Sequence, residues 1–503
     1  MDIFFSSLWQ IVQWPTIALM LVGAFIGFWV GILPGLGGAV TLALMMPFVF
    51  SMEPVNAFAF LLGMHSVCAT TGDITSVLFA VPGEAASAAT ILDGYPMSQK
   101  GEAGRALGAV LMSSLVGAWI GAFTLAMVVP VVRPLVLSFG ASEFLVLSLL
   151  GLSFVVALSR KSLLKGLLMG GVGFFCAMVG ADPQGGIPRY VFGQLYFWEG
   201  ISIVPVTVGI FAIPEILELM LTGSSIAKSG EAKVAWKGVW QGFRDTFRYW
   251  WLTVRCSLIG TFMGFIPGMG GSVSQWIAYA HAQQTSKHPE QFGKGSIEGV
   301  LAVGAVNNAK EGGALVPTIA FGIPSGAAMA ILLGAFLIVG LTPGPELLKD
   351  RLDVTFGMVW TVVLSNIFAV AASLAALKWL SAITFMKGRV LAPFLLVLVA
   401  VGAFTANNSL MDVVLMLAVG VVGLFCMRYD WPRPPLVLAL VLGEITERNL
   451  WLSYRLMGWS WLGRPSVLII LAITVTGLVL PTLLARRSRA ARRRAAQLPT
   501  GGA

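Results

Sequence analysis

Polar side chains interrupt two otherwise apolar stretches of this sequence, CATTGDITS at 68–76 and AVNNAKEGGA at 305–314. An ionisable residue in an apolar, membrane-type segment is costly and usually has a function. Carboxylate, amide and hydroxyl oxygens are the ligands that a hard cation such as sodium prefers. We therefore predict an ion-binding site built from five residues: Thr70, Thr71, Asp73, Asn307 and Asn308.

Two of the charged residues in these stretches leave alternatives open. Asp73 could bind a cation or pass a proton, and Lys310 could meet a substrate carboxylate. Either residue could equally be the partner in a structural ion pair. Glu84 and Asp93, which follow a Pro-Gly sequence, are expected to cap or brace a hairpin rather than to touch a substrate.

Helix-breaking sequences occur four times in apolar surroundings: GILPGLGG at 31–38, FAVPGEAASAATIL at 79–92, GFIPGMGG at 264–271 and FGIPSGAAMAILL at 321–333. Non-helical backbone within a membrane occurs only where protein or a water-filled cavity covers its polar groups. A helix that opens there presents free N–H groups and about +0.5 charge, which suits a carboxylate. Four such ends would sum to about +2, the scale of a dicarboxylate.

The breaks therefore supply the predicted substrate site. Small residues that only allow close helix packing are the alternative, but proline adds nothing to close packing. Ser87 and Ser325 could donate hydrogen bonds, although a serine commonly bonds its own helix. The predicted substrate ligands are Pro34, Gly35, Gly37, Gly38, Pro82, Gly83, Ser87, Gly268, Gly270, Gly271, Lys310, Pro324, Ser325 and Gly326.

Membrane helices must position these residues, because the 503-residue chain is 57% hydrophobic and only 11% charged. A soluble domain has roughly a quarter charged residues. Apolar stretches long enough to cross a bilayer recur along the chain, so we predict an all-α polytopic membrane protein with about 10–14 transmembrane segments. The first 99 residues lack Lys and Arg, which argues against a cleavable signal peptide.

Other chemistries have little support in the sequence. The four cysteines show no CxxC spacing, and three histidines form no cluster, so no cofactor or transition metal is expected. A nucleotide-binding GxxxxGK[ST] motif is absent, which disfavours ATP-driven pumping. A membrane-embedded enzyme acting on lipid-linked substrates would need a base–nucleophile or metal constellation that we do not find. A passive anion channel would use the same helix ends without coupling.

The breaks recur at regular offsets, which indicates an internal duplication. Pro34 and Pro267 are 233 residues apart, whereas Pro82 and Pro324 are 242 apart, and a polar insert in the second half accounts for the difference. The placement of Lys and Arg puts 100–105, 160–165 and the linker inside. Five spans counted back from the cytoplasmic tail put 349–353 outside, so the repeats are predicted to be inverted, with re-entrant hairpins. The predicted divisions are a first repeat at 1–221, a linker at 222–250, a second repeat at 251–485 and a basic tail at 486–503.

The linker carries Trp236, Trp240, Phe243 and Phe247 at helical spacing beside basic residues. It is predicted to be an amphipathic helix on the cytoplasmic membrane surface, with an aromatic collar at the start of the next span as the alternative. The net charge of +9 comes largely from the tail ARRSRAARRRAAQ. Such a tail is typical of a cytoplasmic topology anchor that meets anionic lipids, and nucleic acid is not expected as a partner.

Several stretches resemble the large membrane (TctA-like) permease subunit of bacterial tripartite tricarboxylate transporters: GILPGLGG, VPGEAASAATILDGYPMSQKGEAGRALG, SKHPEQFGKGSIEGV, VNNAKEGGALVPTIAFGIPSGA and LTPGPELL. The resemblance covers nearly the whole chain. It implies an inner-membrane secondary transporter that imports di- or tricarboxylates or related organic anions by alternating access, in an elevator-like manner.

The resemblance also implies cation coupling, with Na⁺ the usual expectation, and an uncoupled or proton-coupled carrier as the alternative. Its implied partners are a small four-helix membrane subunit (TctB-like) and a periplasmic solute-binding protein (TctC-like), and a homo-oligomer is compatible with it. One departure is visible. Many members carry an acid shortly before the double asparagine, where this chain has Gly304, Ala305 and Val306, so that acid's role is not carried over.

Overall fold

The computed structural model describes residues 2–33, 37–157, 163–182, 185–222, 235–266, 270–383 and 388–476. Nearly all of this part of the chain is helical, which confirms the predicted all-α class. The first half contains α1 Asp2–Val12, α2 Thr16–Ile32, α3 Gly38–Met45, α4 Pro54–Phe79, α5 Ile91–Met97, α6 Ala103–Leu137, α7 Ala141–Ala157, α8 Leu163–Ala177 and α9 Ile203–Thr222.

Helix α10, Trp236–Arg248, leads into the second half. This half contains α11 Trp250–Phe265, α12 Gly270–Thr285, α13 Ile297–Phe321, α14 Ala327–Ile338, α15 Leu352–Ile383, α16 Gly388–Asn407, α17 Leu410–Arg428, α18 Pro434–Met457 and α19 Pro465–Thr476. The strands described are β1, Gly180–Ala181, and β2, Pro188–Arg189, which pair antiparallel between α8 and α9.

Four described helices are long and apolar enough to cross a membrane, and two bent helix pairs raise the number to six. Shorter apolar helices of 10–17 residues accompany them, for example α8 and α14. The chain is therefore a multi-pass membrane protein, whereas the predicted count of about 10–14 segments stays a prediction. The basic tail at 486–503 and most of the linker before α10 lie outside the described residues.

Equivalent glycine contacts occur in both halves at the offsets read from the sequence. A Cβ atom added to Gly27 of α2 would lie 2.1 Å from the carbonyl oxygen of Met64 in α4. A Cβ atom added to Gly260 of α11 would lie 3.0 Å from the Cα atom of Val306 in α13. One turn later, Gly31 meets Cys68 and Gly264 meets Lys310 in the same way. These matched contacts support the duplication.

The equivalent helices α4 and α13 cross antiparallel at the centre of the molecule. His65 contacts Glu311, whereas Ala69, one turn further along α4, accepts a hydrogen bond from Asn307, one turn earlier in α13. Repeats of the same orientation would place their equivalent helices parallel across a shared axis. The antiparallel pairing therefore favours inverted repeats.

The helices pack as two groups. One group contains α2–α6 and α11–α15, in which α6 packs on α13 of the other half and α15 packs on α4. The second group contains α7–α9 and α16–α18, in which α17 packs on α9 and α18 packs on α7 and α8. The groups meet where α3 contacts α9 and α14 contacts α18.

Helix α10 lies against the start of α6 with Trp236, Trp240 and Phe247 exposed. Its Gly242 packs on the backbone of Arg105 and Ala109, and the Arg105 guanidinium Nε donates to Asp245 at 2.6 Å. Trp240 is 67% exposed on the opposite side. This amphipathic division is typical of a helix at a membrane surface, although its predicted cytoplasmic position stays a prediction.

Candidate functional site

One cavity of about 530 Å³ lies inside the first helix group. Its walls come from both halves of the chain and from all four regions where the sequence predicts helix breaks. The lining residues are Gly37, Gly38, Ala39, Val40, His65, Pro82, Gly83, Glu84, Ala86, Met263, Gly264, Ser274, Lys310, Glu311, Ala314, Ser325, Gly326, Ala327, Ala328 and Met329.

Helix ends surround this cavity because α4 and α13 stop at equivalent points. Ala80 and Gly322, 242 residues apart, end these helices with left-handed backbone (φ 56° and 67°). The chain then turns back, and α14 begins at Ala327 beside the cavity. Helix α3 begins at Gly38 on another wall. The first-turn N–H groups of both helices have no partner within their helix, so they can meet an anion.

Four ionisable side chains meet at the cavity wall. The His65 Nε2 atom lies 2.9 Å from Glu311 Oε2, and Lys310 Nζ lies 3.4 Å from Glu311 Oε1. Lys310 Nζ also lies 3.8 Å from Glu84 Oε1. All four side chains are at least four-fifths buried. We call His65, Glu84, Lys310 and Glu311 the cavity charge cluster.

Glu84 links the first hairpin to the rest of this cluster. Its Oε2 atom accepts from the Gly38 N–H at 3.3 Å, at the start of α3. Its backbone N–H donates to Ser87 Oγ at 3.3 Å in a capping box at the start of 85–90. The expectation that Glu84 caps the hairpin agrees with these contacts, but the same carboxylate also pairs with Lys310 inside the cavity.

Two glycines allow the close approach on which the cavity depends. A Cβ atom on Gly38 would lie 2.3 Å from His65 Nδ1. A Cβ atom on Gly83 would lie 2.5 Å from both the Gly31 carbonyl oxygen and the Gly72 Cα atom. A larger residue at position 83 would push the first hairpin away from α4, and a larger residue at position 38 would displace the His65 ring.

A buried network beside the cavity contains Asp73. Thr90 Oγ1 donates to Asp73 Oδ1 at 2.7 Å, and Asn307 Nδ2 donates to Asp73 Oδ2 at 2.8 Å. Gln275 Nε2 donates to Asn307 Oδ1 at 2.9 Å, while Gln275 Oε1 is buried and has no hydrogen-bond partner among the described residues. We call Asp73, Thr90, Gln275 and Asn307 the Asp73 cluster.

A second buried network surrounds Asn308. Its Nδ2 atom donates to Thr70 Oγ1 at 2.5 Å and to Asn366 Oδ1, and lies 3.5 Å from the Ser66 carbonyl oxygen. Within the described part of the chain, Asn308 Oδ1 and Ser66 Oγ are buried without a partner. We call Ser66, Thr70, Asn308 and Asn366 the Asn308 cluster. Unpartnered oxygens of this kind suit a cation that needs oxygen ligands.

The structure places the predicted substrate residues in several different settings. Those that line the cavity are Gly37, Gly38, Pro82, Gly83, Lys310, Ser325 and Gly326. Ser87 and Pro324 are not among the lining residues, and the Ser87 hydroxyl bonds the Glu84 carbonyl. Gly270 and Gly271 begin α12. Pro34, Gly35 and Gly268 lie outside the described residues.

The predicted ion ligands are brought together with one exception. Asp73 and Asn307 share one cluster, and Thr70 and Asn308 share the other. Thr71 joins neither cluster, because its hydroxyl bonds the Val67 carbonyl of its own helix and faces α2.

Several residues of the site were missed from the sequence. His65 and Glu311 complete the cavity charge cluster, and Gln275 and Asn366 complete the oxygen-rich networks. One signal could have found His65, because it lies 242 residues before Asn307 and is therefore its equivalent in the first half. In the described part of the chain no group of three or more His, Cys, Asp or Glu residues could hold a metal ion.

Gly304 leaves no room for a larger side chain at the packing of α13 on α6. A Cβ atom at Gly304 would lie 2.3 Å from Ser113 Oγ and 2.9 Å from the Val110 carbonyl oxygen of α6. The position is thus filled by close helix packing.

Comparison with known proteins gives matches over most of the chain. The model of the family described as "Tripartite tricarboxylate transporter TctA family" matches residues 17–438. An uncharacterized 52.8 kDa protein in the TAR-I ttuC' 3' region of Agrobacterium vitis is 33% identical over 430 residues, 85% of each chain. An uncharacterized protein in the TAR-II ttuC' 3' region of the same organism is 30% identical over 192 residues, 38% of this chain and 79% of that protein.

Proposed function

The chain belongs to the tripartite tricarboxylate transporter TctA family and is thus the large membrane subunit of such a transporter, and we propose that it imports an organic carboxylate coupled to Na⁺. A periplasmic binding protein delivers the substrate, and a small membrane subunit accompanies the chain in the bacterial inner membrane. The observation that carries the proposal is that the helix breaks of both halves meet at one cavity beside two oxygen-rich clusters.

The carboxylate binds at the ends of broken helices. The N-terminal turns of α3 and α14 present N–H groups to the cavity, and Ser325 and Lys310 lie beside them. N–H groups at a helix N-terminus together with a lysine favour an anion over a neutral ligand.

The coupling ion binds in the Asp73 and Asn308 clusters. Asn308 Oδ1 and Gln275 Oε1 are buried acceptors without donors among the described residues. A buried acceptor of this kind costs about 1–3 kcal/mol unless a ligand satisfies it. A sodium ion would satisfy such oxygens without requiring a donor, and Asp73 would balance its charge. Because these clusters share α4 and α13 with the cavity, ion binding stabilises the helices that form the substrate site.

Transport proceeds by movement of the first helix group against the second. Every residue that lines the cavity belongs to the group of α2–α6 and α11–α15 or to the segments that join its helices. A site carried within one group favours an elevator-like movement, whereas a rocking movement places the site between two groups.

The thermal stability of the full chain in sodium, compared with choline, tests the coupling ion without a known substrate. A ligand that binds only the folded state stabilises it by about 2.7 kcal/mol at a hundredfold excess over Kd. We expect a saturable sodium shift that Asn307→Ala abolishes. Asn449→Ala is the matched control, because Asn449 donates to its own helix α18 in the second group. The absence of a shift in the wild type, with the small subunit present, would overturn sodium coupling.

Uptake into proteoliposomes with all three components then tests the function itself. A coupled carrier accumulates its carboxylate above the equilibrium ratio when a sodium gradient is imposed. Flux that only reaches equilibrium would indicate a passive channel, and accumulation driven by a pH gradient alone would indicate proton coupling.

A further inference from the structure

The cavity contains negative charges of its own, which limits the charge of any anion that it can hold. Glu84 and Glu311 contribute two carboxylates, and Lys310 contributes one positive charge. The cavity charge cluster therefore sums to −1 with neutral His65 and to 0 with protonated His65. The N-terminal ends of α3 and α14 add about +0.5 each. The total lies between 0 and about +1.

Lys310, the lysine of this cluster, is already shared between two carboxylates of the protein. Its Nζ atom lies within 4 Å of carboxylate oxygens from both Glu84 and Glu311. Glu84 also occupies the Gly38 N–H at the start of α3. The carboxylate of Glu84 thus lies where a substrate carboxylate would find both a lysine and a helix end.

The Nδ1 ring nitrogen of His65 lies against Gly38 at the start of α3. His65 is only 4% exposed, and its Nδ1 atom has no hydrogen-bond partner among the described residues. His65 lines the cavity, but its Nδ1 atom packs on Gly38, so the ring contributes to the wall of the site rather than a free ligand atom.

The remaining walls of the cavity are mostly apolar. Val40, Met263, Ala314 and Met329 line it together with further alanines. Its volume of about 530 Å³ lies within the usual range for small-molecule sites. A ligand of this site therefore has an apolar body and one strongly polar end.

From these observations, and resting on the proposed function, we infer that the cavity selects an organic anion with a single carboxylate and an apolar body, and that Glu84 and Glu311 exclude di- and tricarboxylates. A second or third carboxylate would enter a buried site that already holds two, where Lys310 is paired with both and Asp73 balances the charge of the coupling ion. Buried charge without a partner is strongly unfavourable. The prediction of a dicarboxylate substrate counted only the charge of four helix ends and did not include these two acids.

Two ring- or chain-matched series of carboxylates test this inference. The first is benzoate, isophthalate and trimesate, and the second is butyrate, glutarate and tricarballylate. Each series changes the number of carboxylates on a similar body. Binding is measured as the stabilisation of the full chain in sodium at a pH where all the carboxylates are ionised. We expect the single carboxylate to bind at least tenfold more tightly than the tricarboxylate of its series.

Variants that remove one negative charge identify the residues that select a monocarboxylate over a dicarboxylate. In Glu84→Gln and Glu311→Gln, affinity for the dicarboxylate should rise about tenfold relative to the monocarboxylate (about 1.4 kcal/mol). Glutamine at position 84 keeps an acceptor for the hairpin cap. Glu290→Gln is the control, because Glu290 is exposed in the segment between α12 and α13 and contacts His288.

The possible outcomes separate the two proposals. If a wild-type chain binds trimesate or tricarballylate as tightly as benzoate or butyrate, the single-charge inference is wrong while the carboxylate site stands. If none of the six carboxylates stabilises the chain, even with the small subunit present, the carboxylate site itself is wrong. The wild-type comparison decides the inference even where a variant fails to fold.

Discussion

His65 Nε2 lies 2.9 Å from Glu311 Oε2, and this contact joins the equivalent helices α4 and α13 at the wall of the cavity. Both side chains are more than nine-tenths buried. Their pairing connects one element of each half, so it bears on folding as well as on ligand binding.

His65→Ala should lower the free energy of unfolding by about 2 kcal/mol, because a hydrogen bond to a buried charged group contributes about 1.5–3 kcal/mol. The variant leaves Glu311 with Lys310 as its remaining ionic partner. Thermal unfolding of the detergent-solubilised chain measures the change.

His288→Ala is the matched control for this pair. His288 also faces a carboxylate, Glu290 at 3.5 Å, but both side chains are more than three-fifths exposed. An exposed pair of this kind contributes about 0–1 kcal/mol. Equal losses in the two variants would contradict a structural role for the buried pair. The double variant His65→Ala/Glu311→Gln should lose less than the sum of the single variants, because the two residues interact.

Gly27→Ala tests the close packing of α2 on α4. Its added Cβ would lie 2.1 Å from the Met64 carbonyl oxygen, so the helices must separate. Overpacking of this kind costs about 1–3 kcal/mol. Gly171→Ala in α8 meets nothing within 4 Å and should be neutral or slightly stabilising. If Gly27→Ala is as stable as Gly171→Ala, the close approach of α2 to α4 is wrong.

The helix breaks and the duplication could be read from the sequence because proline and glycine act locally. Pro82 and Pro324 follow the ends of α4 and α13, where the chain reverses. The same offset of 242 residues separates Met64 and Val306, which make equivalent contacts with glycines of α2 and α11. Asp73 stood out for a similar reason, since a carboxylate in an apolar segment is conspicuous without knowledge of its neighbours.

The cavity charge cluster could not be predicted in the same way, because its contacts join the adjacent residues Lys310 and Glu311 to residues of the other half. Glu311 meets His65 across 246 residues, and Lys310 meets Glu84 of the first hairpin. Charge arithmetic on helix ends alone therefore overestimated the positive charge of the site. Thr70 and Thr71 could not be distinguished from the sequence in this way. Adjacent residues on a helix point about 100° apart, and Thr70 is the one that contacts Asn308.

Adjacent threonines also provide a sharp test of the ion site. Thr70→Val removes a hydroxyl from the Asn308 cluster and should weaken sodium binding about tenfold, or about 1.4 kcal/mol. Thr71→Val removes a hydroxyl that bonds its own helix and should leave sodium affinity unchanged. The sodium concentration that gives half of the thermal shift measures the affinity. Equal effects of the two variants would remove the Asn308 cluster from the ion site.

Gly304→Asp tests whether the close interface between α13 and α6 can hold an acid. The new side chain would begin 2.3 Å from Ser113 Oγ and 2.9 Å from the Val110 carbonyl oxygen, and would place a carboxylate in a buried helix interface. Overpacking costs about 1–3 kcal/mol, and the unpaired buried charge adds to that loss. We expect a lower melting temperature and no gain in sodium affinity. Gly463→Asp, where nothing lies within 4 Å, is the control.

Ser113→Gly in the Gly304→Asp background separates the steric cost from the electrostatic cost. It removes the hydroxyl that lies nearest to the new side chain, so part of the lost stability should return. The charge remains buried, so the recovery should be incomplete. A Gly304→Asp variant that is as stable as the wild type and binds sodium more tightly would mean that the acid still has a functional place beside α6. The Asp73 and Asn308 clusters would then be only part of the ion site.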